Sequence, residues 1–381
     1  MSQIVRAFVG ASIHDGVSLH SGRALTIDVN GASTIVAPQA LPSHWETLPL
    51  HGGIIAPGFV DLQVNGGGGV MFNDDQSVPA LRQMAAAHAT TGSAAILPTL
   101  ITDTPERTSA AIDAVEQAVA EHVPGIIGIH LEGPHLSNAR KGAHDDHLIR
   151  RMSDADLTQL LQAAERLPNV MVTVAPESTS NDQIRQMNAA GITVSLGHTD
   201  ADYETCLAAF DAGARCVTHL FNAMSQMTAR APGLVGAALA RNDIYAGLIA
   251  DGLHVHPTMI RLAFETEGDS QKIFLVTDAM ATVGSDVQEF RLNGRRVLRK
   301  DNRLTLDDGT LAGADLEIAR ALDVLVRHVD QDLASSLTRT TGIPRKLLRN
   351  PGNWGSLSAG LNTLLYFDAE GRCRHLSDVD S

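Results

Sequence analysis

The sequence predicts a (β/α)8 barrel carrying a small β-sandwich domain built from both chain ends. Three observations carry that reading. Eight short apolar or β-branched runs, each closing on a polar residue, recur between residues 58 and 278. Segments of helical period separate most of them, and this alternation is the signature of a parallel barrel. The two ends, residues 1–56 and 345–381, lack that period. They are broken by Gly, Asp and Pro and read as strand and turn.

The runs are GFVDLQVN at 58–65, SAAILPT at 93–99, GIIGIHLE at 125–132, VMVTVAPE at 170–177, ITVSLGH at 192–198, ARCVTH at 214–219, YAGLIAD at 245–251 and KIFLVTD at 272–278. Each has the length and near-continuous hydrophobicity of a strand buried on both faces. Between them, VPALRQMAAAHATTG and TSAAIDAVEQAVAEH fit helices, the first stopped by Gly92. SDADLTQLLQAAERLP opens on a capping pattern at Ser153 and ends before Pro168. SNDQIRQMNAAG, DADYETCLAAFDAG and HPTMIRLAFETEG each end on a glycine suited to a left-handed cap. PGLVGAALAR is a shorter helical candidate after the sixth run. The stretch 289–313 returns to β pattern, with turn signals at Asn293–Gly294 and Asp308–Gly309. The expected domains are a catalytic barrel at 57–344 and a β domain from 1–56 with 345–381, closed by a hairpin around Glu370–Gly371.

Composition narrows the function. The 381 residues are 44% hydrophobic and 19% charged, enough for a large core. The net charge of -14 and the lack of a basic patch argue against nucleic acid as partner. No apolar run approaches a membrane span, and MSQIVRAFVGAS has no signal-peptide pattern. Cys206, Cys216 and Cys373 form no CxxC pair, so a reducing cytoplasm is expected. Gly66–Gly69 is not followed by Gly-Lys-Ser/Thr, so it reads as a flexible turn after the first strand and not as a phosphate loop.

Barrel active sites lie at the C-terminal ends of the strands. The residues that close the runs are Gln63 and Asn65, His130 and Glu132, Glu177, His198, His219, Asp251 with His254 beyond it, and Asp278. Most of the 16 histidines read as surface or packing residues, and Glu177 reads as structural. Glu132, His198 and His219, each at such an end, form a carboxylate–imidazole set suited to zinc or a similar first-row ion, with a coordination position left open. Asp278, across the mouth, reads as a proton acceptor.

PGFVDLQVNGGGGVMFND, GIHLEGPHLS, KGAH, SLGHTDA, THLFNAMSQM, ADGLHV, VTDAM and DGTLAG, in this order, resemble the motif series of the N-acetylglucosamine-6-phosphate deacetylase family, within the amidohydrolase superfamily. The resemblance implies hydrolysis of the acetamide of N-acetylglucosamine 6-phosphate in amino-sugar catabolism. N-acetylgalactosamine 6-phosphate or another N-acyl amine is the alternative substrate. Many amidohydrolases carry His-x-His at the first strand end and bind two metals; here the position is Gln63–Val64–Asn65. The resemblance therefore implies one divalent ion per chain, held by Glu132, His198 and His219: zinc first, with iron, cobalt or manganese as alternatives. It makes Asp278 general base and then general acid. It also implies substrate contacts at Ala143, His144, Asn222, Ala223, His254, Leu311, Ala312 and Gly313, and a homodimer in which Arg230 reaches the phosphate in the neighbouring site.

Overall fold

The structure, a computed structural model, describes residues 4–268 and 270–379. Eight parallel strands pair in chain order: β1 (Phe59–Val64), β2 (Ser93–Ile101), β3 (Ile129–Glu132), β4 (Val170–Val174), β5 (Thr193–Leu196), β6 (Cys216–Val217), β7 (Tyr245–Leu248) and β8 (Ile273–Leu275). β1 is buried at every position, because helices cover its outer face and side chains fill the interior. No ladder joins β8 to β1. The seam closes instead through a single parallel bridge, Val64 to Ala279, and through backbone bonds from Asp278 N–H to the Gln63 carbonyl (3.0 Å) and from Asn65 N–H to the Ala279 carbonyl (2.8 Å). Just below, the fully buried Asp61 accepts the Thr277 hydroxyl at 2.5 Å and the Thr277 and Gln63 N–H groups. Burial pushes its carboxyl up to about 7.

The helices of eight or more residues are α1 (Val78–Thr90), α2 (Pro105–Ala120), α3 (Asp154–Arg166), α4 (Asn181–Ala189), α5 (Tyr203–Asp211), α6 (Gly233–Ala240), α7 (Pro257–Glu265) and α8 (Ile318–His328), and two shorter ones follow at Leu333–Thr338 and Gly342–Arg345. Ser153 and Ser180 start α3 and α4 with full capping boxes, closed by Asp156 and Gln183. α2 begins three residues ahead of the expected segment, because Thr104 caps it and Pro105 occupies the first turn. α8 has no counterpart in the strand–helix alternation read from the sequence. A three-stranded antiparallel sheet (Glu289–Leu292, Arg295–Lys300, Arg303–Leu306) intervenes between it and β8. One turn of that sheet falls at Asn293–Gly294. The other is Asp301–Asn302, both left-handed without any glycine, a form of turn the sequence pattern did not flag. The sheet lays Leu292, Val297, Leu304 and Leu306 on Met71, Ile101, Met280 and Ala281, and so roofs one side of the barrel mouth.

Both chain ends build the small sheets. Four strands run in the order Ser33–Val36, Ala24–Asp28, Ile4–Val9, Thr47–Pro49; five run in the order Cys373–His375, Leu364–Phe367, Ile54–Pro57, Ser12–His14, Leu19–His20. They enclose Phe8, Ile13, Leu25, Ile55, Leu364, Tyr366 and Leu376. Residues 1–3 and 380–381 of the expected β domain lie outside the described residues. The Gly66–Gly69 segment is not a loose turn. Gly66–Gly67 pairs with Val70–Met71, and the buried His88 of α1 holds the Gly66 carbonyl at 2.8 Å. A side chain at Gly66 would meet the Val70 carbonyl at 2.5 Å.

Candidate active site

Several strands end earlier than the apolar runs do. β5, β6 and β8 stop two or three residues short of His198, His219 and Asp278. Each of these three residues leaves the ladder with φ in the left-handed region, at +47°, +30° and +53°. That backbone costs free energy for a side chain with a Cβ. It also turns the three side chains inward over the barrel mouth, where they meet.

Glu132 Oε1 lies 3.1 Å from His198 Nε2 and 3.0 Å from His219 Nε2, and the two nitrogens are 3.0 Å apart. All three side chains are buried. His198 Nδ1 sits 2.8 Å from the Arg140 carbonyl. A carbonyl only accepts, so Nδ1 carries a proton and Nε2 is the nitrogen left to bind a metal ion. Burial pushes the Glu132 carboxyl up, but the imidazoles beside it prevail and hold it well below the ordinary range. One carboxylate oxygen and two ring nitrogens this close need positive charge between them, supplied by ring protons or by a bound cation. The donor set therefore fits a divalent ion bound by one oxygen and two nitrogens.

Asp278 stands beside this set. Its Oδ1 accepts from Asn65 Nδ2 at 2.7 Å and from Gln63 Nε2 at 3.1 Å, and Gln63 Nε2 also donates to Glu132 Oε2 at 3.2 Å. The Gln63 amide thus bridges the two carboxylates, while Asn65 holds Asp278 alone. Burial, and then the charge of Glu132, raise the Asp278 carboxyl to about 6. A group in that range can both take and return a proton near neutral pH.

A cavity of about 420 Å³ opens over these groups. Glu132, Ala143, His144, His198, His219, Asn222, Ala223, His254, Asp278, Leu311 and Gly313, all marked from the sequence, line it. His144 turns Nδ1 towards Thr102, 2.7 Å from its hydroxyl. Burial, then His198, hold the ring well below the usual imidazole range, so it is neutral. Asp251 Oδ2 fixes His254 through Nδ1 at 2.6 Å. Along the loop after β6, φ is positive at His219, Phe221 and Ala223, at alternate positions. The Leu220 and Asn222 N–H groups there donate to the Gly247 and His219 carbonyls, which fixes the loop at the cavity.

Two of the residues marked from the sequence lie elsewhere. Ala312 is fully buried in the apolar cluster under the inserted sheet, and its N–H donates to the Leu304 carbonyl. Arg230 is exposed on the segment before α6, outside the lining of its own chain's cavity. Glu177 bonds the Thr199 hydroxyl and Asp200 N–H, a structural part. Arg140, Met280, Leu292 and Thr310 line the cavity unannounced. Thr102 also escaped the sequence reading, which ended the second run at Thr99. The strand in fact passes through Pro98 by way of a register irregularity and ends at Ile101.

Residues 54–302 match the family model of the amidohydrolase family. The chain is 43% identical over 302 residues to an N-acetylgalactosamine-6-phosphate deacetylase of Shewanella sp. (strain ANA-3), covering 79% of this chain and 76% of the relative. It is 33% identical over 343 residues to an N-acetylglucosamine-6-phosphate deacetylase of Haemophilus influenzae, covering 89% of each. Among solved structures, N-acetylglucosamine-6-phosphate deacetylase from Pasteurella multocida superposes with a TM-score of 0.90 at 34% identity, over 97% of this chain and 96% of that one.

Proposed function

The chain belongs to the amidohydrolase family, and on that premise we propose that it hydrolyses the acetamide of N-acetylglucosamine 6-phosphate to glucosamine 6-phosphate and acetate, a step of amino-sugar catabolism. The observation that carries the reading is one cavity in which the Glu132–His198–His219 donor set, the Asp278 carboxyl and the neutral His144 ring face a common space. When bound, a divalent ion polarises the amide carbonyl and acidifies a water. Asp278 takes the proton of the attacking water and returns it to the departing amine nitrogen, while Gln63 and Asn65 hold its carboxylate in place. His144 donates from its cavity-facing nitrogen to the acetamide oxygen as charge develops there. The loop at Asn222–Ala223 and the His254 ring, oriented by Asp251, receive the sugar phosphate. Leu311–Gly313 closes the sugar side, with Leu311 and Gly313 in the lining and Ala312 anchoring the loop.

We assign one ion per chain, with zinc as its identity; iron, cobalt and manganese suit the same donors. Residues 57–344 form the catalytic barrel, and 1–56 with 345–381 the β domain. The active unit is a homodimer in which Arg230 completes the partner's phosphate site. Arg230 is exposed and, among the described residues, has no ion pair. Among the described residues no helix is long and apolar enough to cross a membrane, and the three free cysteines suit a cytoplasmic setting.

The 43% identical galactosamine relative supports a second reading, the C4 epimer as preferred substrate. Acetate release measured with both epimeric sugar phosphates tests the pair. The proposal expects turnover of the gluco substrate with kcat/KM at least equal to that of the galacto one. A strong preference for the galacto epimer selects the second reading, and release from neither defeats both.

A further inference from the structure

We infer that Thr102, one residue beyond β2, is a positioning residue that fixes His144 in the tautomer presenting an N–H to the cavity. Thr102 is fully buried between the β3 end and the His144 ring. Its backbone N–H donates to His144 Nδ1 at 3.4 Å, and its hydroxyl lies 2.7 Å from the same nitrogen. A backbone N–H has no other role than donor, so the nitrogen that receives it shows a lone pair. With Nδ1 bare, the proton of the ring sits on Nε2. That nitrogen has no protein partner among the described residues, on a ring that lines the cavity.

The hydroxyl cannot drift away. Its one proton goes to His144 Nδ1 at 2.7 Å and not to the Glu132 carbonyl on its far side, which lies at 3.5 Å, the limit of a hydrogen bond. Gly133 packs so closely that a Cβ there would come within 2.3 Å of the hydroxyl oxygen. Thr102 is therefore packed between the His144 ring and the backbone at Glu132–Gly133. The opposite tautomer would set an N–H of the ring against the Thr102 N–H and point a lone pair at the developing negative charge. It would repel the charge that the ring has to stabilise.

The test uses the zinc-loaded enzyme labelled with ¹⁵N-histidine, with the His144 signals assigned by their loss in His144→Gln. The wild-type ring should show a protonated Nε2 and a bare Nδ1; a protonated Nδ1 overturns the inference whatever the substrate proves to be. The kinetic arm rests on the proposed deacetylation. Thr102→Val keeps the shape and removes the hydroxyl. It should lower kcat about 10-fold or more, as loss of an orienting partner typically does. KM and metal content should stay unchanged, and Thr102→Ser should restore most of the turnover. Wild-type kcat in Thr102→Val, or a loss of turnover matched by loss of zinc, overturns it. A wild-type enzyme with the expected tautomer that releases no acetate would refute the deacetylation and leave the tautomer assignment supported.

Discussion

Asp278 holds its position by three devices at once. The left-handed backbone aims it, Gln63 and Asn65 grip one oxygen, and burial with the Glu132 charge keeps the group near 6. Asp278→Asn preserves the shape and removes the base. We expect retained metal, near-normal substrate binding and a fall in kcat of at least about 10²-fold, measured by single-substrate kinetics beside metal analysis; undiminished turnover would move the base elsewhere. His198→Ala should do the reverse, lowering metal occupancy first, because it deletes the lone pair that the Arg140 carbonyl aims. Glu132, His198, His219 and Asp278 were legible because each closes an apolar run. Thr102 and Arg140 were not. Pro98 and Thr99 imitate a strand end, and Arg140 acts partly through its carbonyl, which every residue possesses.

At the scale of elements, the barrel is readable because buried parallel strands are apolar throughout and helices announce themselves by the cap at Ser153 or by a closing glycine. The inserted sheet hid α8, since it breaks the alternation for some forty residues after β8. The sheet also supports the site. At Gly313 φ is +62°, and a Cβ there would lie 2.7 Å from Met280 Cγ and 2.9 Å from the Asp278 carbonyl. Gly313→Ala is therefore strained by about 1–3 kcal/mol and presses on the backbone that aims the base. Thermal melting should record a modest loss of stability, and kinetics a larger loss of kcat. Unchanged kcat in a destabilised protein would show that the loop yields without disturbing Asp278.

Across the whole molecule, burial of imidazoles sets the response to acid. His14, His88, His130 and His135 are each pushed down to about 4, with burial as the largest cause. Unfolded histidine titrates near 6.5. Between those values the unfolded chain binds protons that the folded one refuses, so stability is full above about 6.5 and is lost as pH falls towards 4. His88, wholly buried, accounts for about 3 kcal/mol of that loss. His88→Gln, which keeps a donor for the Gly66 carbonyl, should flatten the decline in denaturation midpoint between pH 6.5 and 4; an equally steep decline would place the sensitivity elsewhere. The shared-site proposal is decided by a mixed dimer of one Arg230→Ala chain and one Asp278→Asn chain. If the arginine acts across the interface, one site receives both defects and about half the wild-type activity survives; low activity throughout would confine Arg230 to its own chain. The central claim, a one-metal amide-hydrolysing centre, is tested most directly by acetate release from N-acetylglucosamine 6-phosphate as zinc is titrated into chelator-stripped enzyme. Activity should start near zero, rise linearly and level off at one equivalent per chain. A plateau at two equivalents, or release of acetate that ignores the metal, would contradict it.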